Sequence, residues 1–184
     1  LFMSIRRGAE RAAADLKAQY GFHVEIVWDG PLKENDAQEQ ISIVERNIAR
    51  RVDGIVLAPQ HSQTMVPPVE RAIQQGIPVV IIDSGLARPE LGVKYVATDN
   101  YSGGRMAAQR LLDVLAKEGK LAPKLVLFRY QVGSESTEQR EKGFLDVVED
   151  AAKKQRDAGQ PAVTILSQDA YAGSTVDSAE REMN

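Results

Sequence analysis

Short apolar runs alternate along this chain with longer segments in which apolar positions recur at the spacing of a helix face. The runs predict strands at His23–Trp28, Gly54–Ala58, Pro78–Asp83, Lys94–Ala97, Lys124–Arg129 and Ala162–Ser167. The periodic segments predict helices over 4–20, 36–52, 67–75, 102–118, 136–158 and 174–184. Alternating helices and buried strands are typical of a parallel sheet covered on both faces, so the predicted class is α/β, doubly wound.

Three pairs of polar residues predict where helices begin. Asp36 with Glu39, Ser136 with Gln139, and Ser174 with Asp177 have the spacing of a capping box, in which side chains bond to free amides of the first turn.

Polar side chains at the carboxyl ends of the strands are the first place to look for a ligand site, because open parallel sheets bind ligands there. These residues are Asp29, Gln60, His61, Asp83, Ser84, Thr98, Asp99, Asn100, Arg129, Tyr130, Gln168, Asp169 and Tyr171. Asp83 ends a strand too apolar to face water, so its carboxylate either caps the following turn or accepts hydrogen bonds from a polar ligand. The pair Asp99 and Asn100 either caps a helix or contacts the ligand.

Three further side chains are candidates for ligand contact. Arg140 falls in the first turns of a helix, where a cation opposes the helix dipole, so it needs a partner in a ligand or in a buried pair. Phe2 and Tyr171 either pack in a core or flank a ligand.

Composition removes several classes of function. The 184 residues include 26 acidic and 23 basic side chains, a net charge of −3, whereas nucleic-acid binders usually carry a basic surplus. No apolar run approaches the ~20 residues of a membrane-spanning helix. The chain has no cysteine, and His23 and His61 have no second ligand at metal-binding spacing, so we expect no metal site. We find no nucleophile–base pair and no phosphate-binding loop, and expect neither an enzyme nor a cofactor.

Five stretches carry a family resemblance when they are taken in order along the chain. They are Phe2-x-x-Ile5-x-x-Gly8-Ala9, Val52–Pro59, Gly76–Asp83, Thr98-Asp99-Asn100-x-x-Gly103-Gly104, and Gly133-Ser134 followed by Arg140-x-x-Gly143-Phe144. This ordered set resembles the type 1 periplasmic sugar-binding proteins of ABC importers, of the ribose-binding kind. The resemblance implies two Rossmann-like lobes joined by a hinge, and a sugar or related polyol held between them for delivery to a permease.

The resemblance also implies roles for individual residues. Phe2 matches an aromatic that stacks on the sugar ring, and Asp83 matches the carboxylate that binds sugar hydroxyls. Asn100 falls near a polar contact beside the hinge. Arg140 matches one of two arginines after the first strand of the second lobe, and Tyr171 matches an aromatic of that lobe.

The chain departs from the ribose-binding pattern at three positions. Leu1 stands where members often carry a second aromatic, Ser84 replaces an arginine, and Glu138 replaces the other arginine of the second-lobe pair. Two donors are thus exchanged for a hydroxyl and an acid. We therefore keep Ser84 and Glu138 as ligand-binding candidates and expect a ligand other than ribose: another sugar or a polyol, including one that carries an amino group.

Against the resemblance we expect an incomplete pair of lobes. Residues 1–98 correspond to an N-terminal lobe without its first strand, and residues 99–184 to a truncated C-terminal lobe. The resemblance implies a periplasmic location, or an extracellular one with a lipid anchor. The alternative is the effector-binding domain of a lactose-repressor-type transcription regulator, which shares the fold and the Asp-Asn-x-x-Gly-Gly stretch.

Overall fold

The structure is a computed structural model that describes residues 2–33 and 35–183. Its helices are α1 (Phe2–Tyr20), α2 (Ala37–Ala49), α3 (Val66–Gln74), α4 (Asn100–Lys117), α5 (Glu135–Asp157) and α6 (Val176–Met183), with a 3₁₀ turn at Pro89–Leu91. Its strands are β1 (Ile55–Leu57), β2 (Val79–Ile82), β3 (Lys94–Val96), β4 (Lys124–Arg129) and β5 (Thr164–Tyr171).

The strands form two separate parallel sheets, one ordered β1-β2-β3 and the other β4-β5. Each sheet has its own core. The first joins α2, α3 and the strands through residues such as Val44, Val69 and Val79, all 3% exposed or less. The second joins α4, α5, β4 and β5 around Ala108 and Val148. The predicted α/β class with parallel strands is confirmed.

One predicted strand is wrong. His23–Trp28 is irregular, and its apolar residues Val24 and Trp28 are exposed. A strand is stabilised by hydrogen bonds to a neighbouring strand, and the two described sheets do not include this segment. An apolar run with β-prone residues is therefore not enough to define a strand.

The helix starts agree with the sequence in one case of three. The Asp36 carboxylate accepts from the Glu39 amide at 2.9 Å, which confirms Asp36 as the cap, but the Asp36 amide donates to the Lys33 carbonyl, so the reciprocal bond of a capping box does not form. The prediction for Ser136 is wrong, because α5 begins one residue earlier and Ser136 lies buried inside its first turn.

The prediction for Ser174 with Asp177 is also wrong. The reciprocal pair is Thr175 with Ser178, one residue further on: the Ser178 amide donates to Thr175 Oγ1 at 3.1 Å and the Thr175 amide donates to Ser178 Oγ at 3.2 Å. Leu1 and Asn184, which the sequence analysis assigned to the aromatic position and to the last helix, lie outside the described residues.

Two glycines allow α4 and α5 to pack at close range. A Cβ on Gly104 would lie 1.9 Å from the carbonyl oxygen of Arg140, and a Cβ on Gly143 would lie 2.1 Å from that of Tyr101. No real Cβ tolerates such contacts, so each helix presents a glycine to the backbone of the other. This packing fixes the start of α5 beside the start of α4.

One face of the β4-β5 sheet remains open. Alternation turns Val126, Phe128 and Leu166 away from α5, and these side chains are between 44% and 60% exposed. Within residues 2–33 and 35–183, no helix has both the length and the apolarity to cross a membrane.

Candidate functional site

A strained turn at the end of β2 presents the Asp83 carboxylate. Asp83 has φ of +65°, a left-handed conformation that non-glycine residues rarely adopt, and the Ser84 amide donates back to the Ile82 carbonyl at 2.7 Å. The half-buried Asp83 carboxylate has no hydrogen-bond or ion-pair partner among the described residues. Strain of this kind clusters at ligand sites, where the surrounding fold holds a side chain in place.

The loop after Asp83 meets the first turn of α5. Ser84 is 3% exposed, and its hydroxyl accepts a hydrogen bond from the Ser136 amide at 3.1 Å. The carboxylate of Glu135 accepts from the Gly85 amide at 2.9 Å. Ser84 therefore links the two sheet units, each of which is one sheet with the helices packed against it, and it is also the chain neighbour of Asp83.

Tyr95, near the end of β3, joins the same cluster. Its hydroxyl donates to Glu135 Oε2 at 3.2 Å. Tyr95 is 44% exposed, and the partial burial of its side chain together with the negative charges of Glu135 and Asp83 raises the pKa of Tyr95 to about 12. The Asp83 carboxylate thus lies close enough to act electrostatically on the Tyr95 hydroxyl, so the unpaired Asp83 lies beside the hydrogen-bonded pair of Tyr95 and Glu135.

A second contact between the units lies after β1. The Ser62 amide donates to the Gly133 carbonyl at 2.8 Å, and the ring of His61 packs on Gly133, where a Cβ would meet His61 Nε2 at 2.3 Å. Gln131 Nε2 approaches the Gln60 carbonyl at 3.4 Å. The carboxyl ends of β1 and β2 therefore face the loop that follows β4.

The start of α4 separates the two roles left open for Asp99 and Asn100. Asp99 is the cap: its carboxylate accepts from the Ser102 amide at 2.9 Å and from the Ser102 hydroxyl at 2.7 Å, which lowers the pKa of Asp99. Asn100 is 5% exposed, and its Oδ1 is buried without a hydrogen-bond partner in the described chain. An unpaired buried amide oxygen is costly, so Asn100 retains the capacity to bind a ligand donor.

The carboxyl end of the second sheet is occupied by Arg129 and Tyr171. They are register partners on β4 and β5, and Arg129 Nη1 donates to the Tyr171 hydroxyl at 2.5 Å. Glu138 Oε1 accepts from the Gly133 amide at 2.8 Å. Glu138 and Arg129 also line a pocket of about 310 Å³ whose other walls are Glu141, Lys142, Leu145, Asp146, Glu149, Gln168 and Asp169.

The remaining predicted residues are not drawn into these contacts. Arg140 is exposed, and its side chain has no ion-pair or hydrogen-bond partner in the described part of the chain, so the buried pair, one of the two roles left open for it, does not form. Neither Asp83 nor Arg140 lines the pocket of Glu138. Phe2 lies at the start of α1, 43% exposed, and no residue of α1 is buried.

Sequence reasoning missed Tyr95, Glu135 and Glu141. Tyr95 lies within a short strand and both glutamates lie on a helix, where an acidic residue is usually only a solvated surface group. The position of Glu135 directly after Gly133-Ser134 was the available signal. Within residues 2–33 and 35–183, no group of three His, Asp or Glu side chains is arranged to hold a metal ion.

Comparison with known proteins places this geometry in a family. The model of the periplasmic binding protein domain matches residues 2–184. A D-ribose/D-allose-binding protein of Pseudomonas aeruginosa is 32% identical over 150 residues, covering 79% of this chain and 46% of that protein. The ribose import binding protein RbsB of Bacillus subtilis is 33% identical over 148 residues, covering 80% of this chain and 44% of the relative.

A solved structure extends the likeness to a polyol binder. The Caulobacter myo-inositol binding protein, bound to myo-inositol, superposes with a TM-score of 0.72 at 26% identity, covering 97% of this chain and 53% of that one. The chain spans less than half the length of the two curated relatives.

Proposed function

Because the chain belongs to the periplasmic binding protein domain family, we propose that it forms part of the substrate-binding component of an ABC transporter. In this proposal it captures a sugar or related polyol between two lobes and delivers it to a membrane permease. The protein acts in the periplasm, or outside the cell on a lipid anchor. Residues 1–98 contribute the first lobe and residues 99–184 the second, in keeping with the two separate cores.

The observation that carries the proposal is the unpaired Asp83 carboxylate on its strained turn. A carboxylate accepts hydrogen bonds from two neighbouring sugar hydroxyls, and charged acceptors form the stronger bonds. The fold holds it at the carboxyl end of β2, facing the start of α5. A ligand there touches both sheet units at once, which is the requirement for closure driven by a ligand.

Other residues complete the proposed site. Asn100 supplies an unpaired amide oxygen for a ligand donor, and Arg140 supplies a free guanidinium for ligand oxygens. Tyr171 and Phe2 offer aromatic faces to the apolar side of a sugar ring. Ser84 and Glu138 remain ligand-binding candidates in this proposal, and their hydrogen bonds to the Ser136 and Gly133 amides hold them in place.

The proposed site residues are mainly hydrogen-bond acceptors, and this indicates the class of ligand. Asp83, Glu135 and Asn100 offer oxygens, so hydroxyl donors are favoured and an amino group is accommodated. The named relatives bind ribose, allose and myo-inositol, which supports a hydroxyl-rich ligand and leaves the choice among sugars and polyols to experiment.

Calorimetric titration with D-ribose, D-allose, D-fucose, xylitol and myo-inositol tests the proposal. We expect a polyhydroxylated ligand to bind and Asp83→Asn to weaken its affinity by about tenfold or more, since a hydrogen bond to a charged group contributes about 1.5–3 kcal/mol. Asp53→Asn is the matched control, because Asp53 precedes β1 at the opposite edge of the same sheet. Equal affinity of Asp83→Asn and the wild type would contradict the proposed site, and tightest binding of ribose would contradict the expected ligand.

A further inference from the structure

A partly buried ion pair between Arg129 and Glu141 contacts Tyr171. Arg129 is the last residue of β4, Tyr171 is the last residue of β5, and Glu141 lies on α5. The Arg129 guanidinium donates to Glu141 Oε2 from Nε at 2.7 Å and approaches it from Nη2 at 2.6 Å. Glu141 is only 9% exposed, and the Glu141 carboxylate raises the pKa of Arg129.

The same guanidinium holds Tyr171 in two ways. Nη1 donates to the Tyr171 hydroxyl at 2.5 Å, and the guanidinium carbon lies 4.7 Å from the centre of the Tyr171 ring. Since Glu141 fixes the other side of the guanidinium, Arg129 has little freedom to turn away. The ring of Tyr171 is therefore held at the carboxyl end of the second sheet. We call this arrangement of Arg129, Glu141 and Tyr171 the clamp.

The clamp decides what Tyr171 offers to a ligand. Arg129 donates to the phenolic oxygen, so the O–H of Tyr171 stays available as a donor to a ligand. The guanidinium also lies over one face of the ring, so the inference assigns the opposite face to the ligand. Tyr171 is thus set to donate one hydrogen bond and to present one aromatic face.

We propose that Arg129 and Glu141 are positioning residues that fix Tyr171 as a hydrogen-bond donor to an oxygen of the bound sugar or polyol. This inference rests on the proposed function and adds a specificity element to it: ligands that place an oxygen opposite Tyr171 are preferred over deoxy analogues. Arg129 and Glu141 act through Tyr171 and make no contact with the ligand.

A double-mutant cycle tests the inference. Removing one partner alone would leave a buried charge, so Arg129→Met and Glu141→Met are combined in one protein, the paired variant. Tyr171→Phe is made in the wild type and also in the paired variant, which gives the triple variant. The probe is whichever of D-ribose, D-allose, D-fucose, xylitol and myo-inositol binds the wild type most tightly. We expect Tyr171→Phe and the paired variant each to weaken binding about tenfold, and the triple variant to be no weaker than Tyr171→Phe.

The outcomes separate this inference from the proposed function. Absence of binding to every probe by the folded wild type overturns the proposed function, and the role of the clamp with it. Binding by the wild type with additive losses in the triple variant overturns only the inference, because Arg129 or Glu141 would then act independently of Tyr171. Unchanged affinity in the paired variant overturns it as well.

A readout without ligand covers the case in which the paired variant folds poorly. Arg129→Lys keeps the charge beside Glu141 but loses the planar guanidinium over the ring. We expect the ring resonances of Tyr171 in NMR spectra to shift in Arg129→Lys while those of the distant Tyr20 stay in place. Unshifted Tyr171 resonances would show that no clamp exists and would overturn the inference.

Discussion

At the scale of single residues, Arg51 and Asp83 are the described non-glycine residues whose φ is positive, at +56° and +65°. Arg51 follows α2, where its amide donates to the Ile48 carbonyl at 2.9 Å, an ordinary helix end at which glycine is favoured. Asp83 lies on a γ-like turn at the candidate site. We propose that the same strain is incidental at Arg51 and holds a candidate ligand-binding side chain at Asp83.

Glycine substitutions distinguish the two cases. We expect Arg51→Gly and Asp83→Gly each to raise the free energy of unfolding by about 1 kcal/mol, because glycine adopts positive φ without a steric penalty. Urea denaturation measures this effect. Calorimetry should show that only Asp83→Gly loses affinity for the ligand, and a destabilised Asp83→Gly would contradict the assignment of strain to that turn.

The Tyr95 hydroxyl gives a second prediction at this scale. An unperturbed tyrosine has a pKa of about 10, whereas burial and the carboxylates of Glu135 and Asp83 raise that of Tyr95 to about 12. The unfolded chain releases this proton at lower pH than the folded chain does. The contribution of Tyr95 to stability is therefore complete below about pH 10 and is lost as the pH rises toward about 12.

Absorbance of the phenolate during an alkaline titration measures this shift. Tyr95→Phe should remove a phenolate step near pH 12, and Glu135→Gln should bring that step to lower pH by removing one negative charge. Tyr20→Phe is the control variant: Tyr20 is 67% exposed, and its removal should leave the late step in place. A late step that survives in Tyr95→Phe would contradict the prediction.

At the scale of elements, the close packing of α4 on α5 depends on Gly104 and Gly143. We expect Gly104→Ala to lower the free energy of unfolding by about 3 kcal/mol, because its methyl group would overlap the Arg140 carbonyl and force the helices apart. Gly103→Ala is the matched control. No atom lies within 4 Å of a Cβ at Gly103, so alanine should stabilise the helix by up to about 1 kcal/mol.

Chemical denaturation of the two variants checks this prediction. Equal stability of Gly104→Ala and Gly103→Ala would contradict the close approach. The result also bears on the candidate site, because this packing sets the start of α5, which carries Glu135 and Ser136, beside the loop after Asp83.

Elements with a dense apolar pattern could be predicted from the sequence, and those that depend on a distant partner could not. Val79–Ile82 consists of apolar residues only, and the strand predicted from the sequence, Pro78–Asp83, is one residue longer at each end. His23–Trp28 has the same kind of pattern, but pairing decides whether such a run becomes a strand. The end of β5 was missed because Gln168 and Asp169 are polar and exposed and lie where the register of β5 against β4 shifts, so no alternating apolar pattern marks this part of the strand.

In the candidate site, too, some residues could be predicted from the local sequence, whereas others depend on contacts with distant parts of the chain. Asp83 was predicted from its place after an apolar strand, which is a local feature of the chain. Glu135 contacts Gly85 across 50 residues, and Glu141 contacts Arg129 across an α-helix turn and a loop, so only the packed structure brings them together. Arg140 was expected to have a partner and has none among the described residues, which fits a side chain kept free for a ligand.

At the scale of the whole molecule, the two sheet units are joined by the exposed crossing at Ala97–Asp99 and by the contacts around Glu135. Glu135→Ala removes the acceptor of the Gly85 amide. We expect hydrogen exchange at Gly85 to become about tenfold faster or more, consistent with the ~1.5–3 kcal/mol of a hydrogen bond to a charged group. Glu118→Ala, at the residue that follows the far end of α4, should leave exchange at Gly85 unchanged, and equal exchange in both variants would contradict the link.

The central claim is that one ligand touches both sheet units at the carboxyl ends of their strands. NMR titration of the labelled protein with its tightest-binding sugar or polyol tests this claim most directly. The account predicts that amide signals next to Asp83 and signals of Arg140 and Tyr171 shift together with one binding constant, while Asp53 at the opposite edge does not respond. Shifts confined to one unit, or centred on the amino ends of the strands, would contradict it.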